Sequence, residues 1–156
     1  MKKVLFASAL ALFMLTNTVT AQSNNEEIDM IQSVFGMEKK AFVAEFIQLD
    51  GPKAEAFWML YDEYEIKRKE LGKRRLALLQ AYADTYDSMD DATTTEILKE
   101  TIALKAGTDN LITSYTKKIQ KKVDVKTAAQ FYQIEGYLLS KIRTNILESI
   151  PVIGEM

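Results

Sequence analysis

Residues 52–88 read PKAEAFWMLYDEYEIKRKELGKRRLALLQAYADTYDS, and this stretch decides the fold. Its apolar side chains recur every three, four or seven positions, which is the period of one helix face. They are Phe57, Tyr61, Tyr64, Leu71, Leu78, Tyr82 and Tyr86. Pro52 suits a first helical turn, where its missing N–H has no intrahelical partner. The stretch therefore predicts one long helix over about residues 52–88, with Gly72 in its interior.

Three further segments show the same period. Their apolar stripes are Ile28, Ile31, Phe35, Phe42 and Phe46; then Ile97, Leu104, Leu111 and Tyr115; then Phe131, Leu138, Ile142 and Ile146. Four amphipathic helices must bury their stripes against one another. We therefore predict an all-α fold with four helices in a bundle or in an open helical-hairpin array, with helix two the long one.

Short polar segments mark the helix starts. Asp50 precedes Gly51-Pro52 and is expected to accept hydrogen bonds from the first amides of helix two. Thr93 with Glu96, and Thr127 with Gln130, have the spacing of a capping box, in which each side chain bonds the other residue's backbone N–H. We expect helices three and four to begin there.

The composition excludes most familiar catalytic chemistry. The 156 residues contain neither cysteine nor histidine, so the chain has no thiolate nucleophile, no Ser-His-Asp triad and no zinc finger. No glycine-rich phosphate loop or calcium-loop spacing is present either. We expect a protein that is not an enzyme and that has no cofactor and no metal.

The first residues resemble a secretory leader. Met1-Lys2-Lys3 is basic, residues 4–15 are apolar, and Val19-Thr20-Ala21 has small residues at a cleavage position. We predict a signal peptide over residues 1–21 and a single helical domain over 22–156, secreted, or periplasmic if the source has an outer membrane. An uncleaved membrane anchor is the alternative. After cleavage the chain is mildly acidic, and this charge argues against nucleic acid as a partner. We also expect no stable insertion of the cleaved chain in a membrane.

Two groups of side chains are candidates for function. The first group combines aromatic and basic side chains of helix two, a composition that can bind unfolded polypeptide through ring surface and charge together. Its members are Trp58, Tyr61, Tyr64, Arg68, Arg74, Arg75, Tyr82 and Tyr86. Its alternative interpretation is a solvated charged face with tyrosines in the core. The second group is Glu135 and Arg68, which fall within apolar stripes and are predicted to form a buried polar pair.

The helix starts Leu49-Asp50-Gly51-Pro52-Lys53 and Lys126-Thr127-Ala128-Ala129-Gln130 resemble the LTxxQ motifs of Spy/CpxP-like envelope proteins. This resemblance implies an ATP-independent chaperone or a stress sensor. The aromatic segments 54–64 and 131–135, together with Ile150-Pro151-Val152, are also similar to small secreted sensors associated with ECF sigma factors. The implied partner is protein, either unfolded clients or one envelope partner. A purely structural helical protein is the remaining alternative. The length of helix two leaves a homodimer open.

Overall fold

The computed structural model describes residues 38–154, and within them the chain is helical without strands. Helix α1 occupies residues 38–46, α2 Gly51–Thr85, α3 Asp91–Lys122 and α4 Val125–Ser149. A short 3₁₀ turn, Tyr86–Ser88, follows α2. The predicted all-α class, with a long second helix, is confirmed. The predicted signal peptide and the stripe residues Ile28, Ile31 and Phe35 lie outside the described residues.

Aspartates rather than threonines cap α3 and α4. The side chain of Asp90 accepts a hydrogen bond of 2.8 Å from the Thr93 amide, and Asp124 accepts one of the same length from the Thr127 amide. Each threonine is thus the third residue of its helix. The two predicted capping boxes are wrong in register, because a carboxylate three residues upstream already meets the exposed amide.

The start of α2 has a different geometry. Asp50 is its N-cap residue, but the Asp50 side chain makes no capping hydrogen bond. Gly51 follows with φ of 55°, a left-handed conformation that side chains disfavour. The expected role of Asp50 as hydrogen-bond acceptor is therefore wrong, and the turn into α2 rests on Gly51 and Pro52. From there α2 continues without a break through Gly72.

Ion pairs between helices give the topology. Lys40 on α1 meets Asp62 on α2, Glu63 on α2 meets Lys118 on α3, and Lys53 at the start of α2 meets Asp124 at the start of α4. The four helices therefore run alternately up and down beside the first half of α2. There they enclose one apolar core, made of Val43, Ile47, Phe57, Leu60, Tyr61, Tyr64, Ile112, Tyr115, Ile119, Ala128, Phe131 and Leu139.

Beyond this core the bundle thins, because α4 is ten residues shorter than α2. The two helices measure about 37 Å and 52 Å at 1.5 Å per residue. The segment after α4 continues in its place: Tyr82 donates a hydrogen bond of 2.7 Å to the Pro151 carbonyl, and Tyr86 one of 2.9 Å to the Val152 carbonyl. None of the helices in residues 38–154 is both long and apolar enough to span a bilayer.

Helix α1 is rotated relative to the sequence-based expectation. Lys39 and Val43 of α1 are buried, as is Ile47 directly after it, each four residues from the next, whereas Phe46 is 52% exposed and Phe42 is half-buried. The predicted stripe through Phe42 and Phe46 is therefore wrong in rotation. The physical reason is Lys39, whose ion pairs with α2 and α4 set which face of α1 meets the other helices.

Candidate functional site

The centre of the bundle contains a buried lysine that joins three helices. The Lys39 ammonium on α1 lies 2.6 Å from Glu65 Oε1 on α2 and 2.8 Å from the carboxylate of Glu135 on α4. The side chains of Lys39 and Glu135 are each 4% exposed. Charges this deeply buried are costly unless they are paired. Lys39 is therefore the main polar connection of α1 to the rest of the bundle.

Each carboxylate also has a second partner. Tyr64 donates a hydrogen bond of 2.6 Å to Glu135 Oε2. The Arg68 guanidinium donates two to Glu65, of 2.8 Å and 2.9 Å, in a fork-to-fork pairing. Burial raises the pKa of Glu65, but Lys39 and Arg68 together outweigh burial and hold that pKa below its ordinary value. Burial, followed by the charge of Glu135, raises the pKa of the Tyr64 hydroxyl well above its ordinary value.

Not every polar atom of this cluster is satisfied. The Tyr61 hydroxyl is buried and has no hydrogen-bond partner within the described chain. Both oxygens of Glu135 lie 2.8 Å from the Lys39 ammonium, which donates its hydrogen bond to Oε2. A buried polar group without a partner costs about 1–3 kcal/mol. Lys39 thus fills the site without meeting all of its acceptors.

Aromatic rings form the surface on which α1 lies. The Lys39 ammonium is 5.4 Å from the centre of the Tyr61 ring and 5.1 Å from that of Tyr64, and Lys40 lies 5.3 Å from the Trp58 ring. Tyr61 and Tyr64 also meet Phe131 of α4 edge to face. Cations over ring faces are attracted to them, and the attraction grows when water is excluded. We call this surface, with Glu65 and Glu135, the α1 groove.

The predicted binding surface is not one surface in the structure. Tyr61, Tyr64 and Tyr82 are buried, and Trp58 is half-buried against the core. Tyr61 and Tyr64 lie under α1, so they cannot contact a client while α1 is in place. Their position matches the alternative interpretation, in which the tyrosines belong to the core and only their hydroxyls are polar.

The remaining members of that predicted surface are dispersed along α2. Arg74 pairs with Glu100 of α3 at 2.8 Å. Arg75 is half-buried, with its guanidinium 3.5 Å from the Thr108 hydroxyl. Tyr86 lies at the far end, where it bonds the chain after α4. These side chains serve contacts between helices, so the structure does not bring them together with Trp58.

The predicted pair of Glu135 and Arg68 is corrected in its partners. Both residues belong to the same cluster, and Glu135 is only 3% exposed. The hydrogen bonds of Glu135 come from Lys39 and Tyr64, while those of Arg68 go to Glu65. The expectation missed Lys39 and Glu65. A signal for Lys39 exists in the sequence, because it precedes Val43 and Ile47 at helical spacing, but a lysine there reads as a solvated residue.

Three large apolar side chains of α3 and α4 are strongly exposed. Leu98 and Ile102 on α3 are 56% and 60% exposed, and Leu147 on α4 is 72% exposed. The pair of Asp109 and Arg143, 3.2 Å apart, sets the register of the two helices. Leu147 is one turn beyond Arg143, and Ile102 two turns before Asp109, so they lie at levels about 4 Å apart. We call these three side chains the α3–α4 patch.

A shallow groove runs between α2 and α3. Its volume is about 440 Å³, and it is lined by Lys67, Glu70, Leu71, Arg74, Gly107, Asn110 and Leu111. The groove opens widely to solvent and contains no buried polar group that would orient a ligand. Within residues 38–154, no group of three or more acidic side chains is arranged to hold a metal ion.

Comparison with known proteins finds no matching family model, no matching curated protein and no matching solved structure. The resemblance to envelope proteins at the helix starts therefore remains a prediction. The function has to be argued from the α1 groove and the α3–α4 patch.

Proposed function

We propose that this protein is a secreted, non-catalytic helical binding protein that holds exposed apolar segments of other polypeptides without ATP. The observation that carries the proposal is the α3–α4 patch, where Leu98, Ile102 and Leu147 are all more than half exposed and Leu98 lies one turn before Ile102. Large apolar side chains that cluster in solvent typically mark an interaction surface. The predicted leader supports a place outside the cytoplasm.

The charges around the patch suit a reversible contact. Lys105, one turn beyond Ile102, pairs with Asp109 at 3.1 Å, and Asp109 also pairs with Arg143 of α4 at 3.2 Å. Both signs are present beside the apolar side chains, so the patch has no strong preference for clients of one charge. Apolar contacts with a mixed polar rim are the usual composition of transient interfaces.

The test is suppression of aggregation. Insulin B chains aggregate when dithiothreitol reduces insulin, and this protein has no cysteine for the reductant to act on. We expect the chain from residue 22 onward to slow the rise of light scattering without ATP. The double variant Leu98→Ser, Ile102→Ser should lose most of this effect while keeping its helical circular dichroism.

The matched control alters the same helix without touching the patch. Glu96 and Lys99 are more exposed still, so Glu96→Ser with Lys99→Ser should suppress aggregation as well as the parent chain does. Equal suppression by both double variants would remove the patch as the contact. No suppression by the parent chain at several-fold molar excess would remove the chaperone function itself.

A second candidate function is binding of one dedicated partner, as in the sensors that the aromatic segments resemble. The observation that favours it is the α1 groove, whose two buried carboxylates demand a specific complement. A site of fixed charge and shape selects partners more sharply than an apolar surface does. Affinity capture from an envelope fraction tests it, since one dominant protein is expected rather than a broad client set.

A further inference from the structure

Helix α1 is attached to the bundle differently from the other three helices. It contributes two aliphatic side chains to the core, Val43 and Ile47, and one buried charge, Lys39. By contrast, α2, α3 and α4 meet through rings and branched side chains such as Tyr64, Tyr115 and Phe131. Desolvation offsets much of the attraction in a buried ion pair. Among the interfaces between helices, that of α1 with α2 and α4 therefore depends most on charge for its net stability.

The other three helices have contacts of their own that do not involve α1. Tyr115 packs against Tyr64 with ring centres 5.5 Å apart, Asp109 binds Arg143, and Lys53 binds Asp124 at 2.7 Å. Glu135 would retain its bond from Tyr64, and Glu65 its fork from Arg68. Within the described chain a short link, residues 47–50, joins α1 to α2, so a change of conformation in this link would free α1 from the other described helices. Its departure uncovers the groove and preserves the scaffold.

We propose that the α1 groove is a docking site for an amphipathic helix of a partner protein, in which a basic residue is followed four and eight positions later by aliphatic residues. Helix α1 occupies this site in the free protein as an internal substitute. This inference does not rest on the α3–α4 patch, which lies elsewhere on the molecule.

Charge complementarity selects the basic residue. Without Lys39, the groove holds two carboxylates, Glu65 and Glu135, against the single cation Arg68. An apolar helix would bury an uncompensated negative charge between aromatic rings, which is strongly unfavourable. A basic residue four and eight positions before two aliphatic residues shares one helix face with them, as Lys39 does with Val43 and Ile47.

The unsatisfied Tyr61 hydroxyl shows how a partner can bind better than α1. Lysine pairs with both carboxylates but leaves this buried hydroxyl without a hydrogen-bond partner. Arginine carries five donors in a rigid plane and can serve two acceptors at once. A partner helix must have a higher intrinsic affinity for the groove than α1 has, because the covalent link gives α1 a high local concentration. Arginine at the lysine position supplies such an advantage.

The binding test uses thiols placed across the interface of α1 with α2. Lys40 and Asp62 are partly exposed and paired, and the chain has no cysteine, so Lys40→Cys with Asp62→Cys creates its only two thiols. A short bis-maleimide then fixes α1 to α2. The probe is a fluorescent peptide of residues 38–49, EKKAFVAEFIQL, made also with Arg in place of Lys39, with Lys39→Met and with Glu45→Met.

We expect the uncrosslinked chain to bind the parent and arginine peptides, the latter several-fold more tightly, and the crosslinked chain to bind both at least tenfold more weakly. The Lys39→Met peptide should also bind tenfold more weakly, whereas the Glu45→Met control, altered on the exposed face of α1, should bind as the parent peptide does. Equal binding by crosslinked and uncrosslinked chains would overturn the proposal. A dimer in light scattering that crosslinking abolishes would assign the groove to a second copy and overturn it as well.

Hydrogen exchange on the unaltered chain supplies an independent measurement. We expect the amides of residues 43–47 to exchange when α1 leaves the groove, while the amides of residues 60–65 stay protected. Trp58, the only tryptophan, lies beneath Lys40 and should change its fluorescence in the same opening. Identical exchange of the two segments at every denaturant concentration would show that α1 never leaves separately, which contradicts the proposal. Loss of aggregation suppression alone would not affect this result.

Discussion

Lys39 and Glu135 are in direct contact although 96 residues separate them in the sequence. Their ammonium and carboxylate lie 2.8 Å apart and are almost wholly buried, and Glu65 completes the cluster from a third helix. One lysine therefore determines how α1 is rotated, which rings it covers and which acceptors stay unsatisfied.

The hydrogen bond from Tyr64 to Glu135 should contribute measurably to stability. Tyr64→Phe removes a buried donor to a charged acceptor and leaves the ring in place, so we expect a loss of about 1.5–3 kcal/mol in the free energy of unfolding. Urea denaturation followed by circular dichroism measures it. Tyr132→Phe, which alters an exposed ring of α4, is the control and should leave the midpoint unchanged. Equal midpoints for the two variants would contradict the role of Tyr64.

Stability should fall on acidification, partly through Glu65. Its pKa is below the ordinary value in the folded chain, because Lys39 and Arg68 outweigh the effect of burial. Its contribution is therefore complete above the unfolded pKa of about 4.3 and is lost as the pH falls through the lower folded value. Glu65→Gln should weaken the dependence of melting temperature on pH below about 5. Parallel curves for parent and variant would refute this assignment.

Two aspartates that precede helices should differ in importance. Asp124 accepts a hydrogen bond from the Thr127 amide and pairs with Lys53, whereas the Asp50 side chain makes no capping bond. Asp124→Ala should therefore lower the melting temperature clearly, because α4 loses its cap. Asp50→Ala, the matched substitution at α2, should have a much smaller effect. The reverse order in thermal melts would contradict the capping geometry.

Two glycines should respond oppositely to alanine. Gly51 has φ of 55°, so Gly51→Ala is expected to cost about 1–2 kcal/mol. Gly136 lies inside α4, and a Cβ there would meet no atom within 4 Å. Gly136→Ala should therefore stabilise the chain by about 0.5–1 kcal/mol through helix propensity. Urea midpoints that shift in the same direction for both variants would contradict either the left-handed backbone at Gly51 or the open space beside Gly136.

Helix number and approximate limits follow from the sequence because apolar spacing and polar breaks are local signals. Residues 52–88 predict α2 within three residues of its observed bounds. Finer details failed where a distant residue decides them. The rotation of α1 depends on carboxylates 26 and 96 positions after Lys39, and the partners of Glu135 depend on that rotation. Whether Tyr61 is core or surface depends equally on α1, so periodicity in α2 alone does not determine it.

The position of Lys39 also has a consequence for the order of folding. Helices α2, α3 and α4 are joined by short turns, and neighbouring helices can pair as hairpins soon after they form. The site for Lys39 exists only when Glu65 and Glu135, 70 residues apart, have been brought together. Before that moment, burying the ammonium would leave it without an adequate counter-charge. We therefore expect α1 to dock in the last step of folding, so that a newly made chain passes through a three-helix intermediate with its aromatic rings exposed to other proteins.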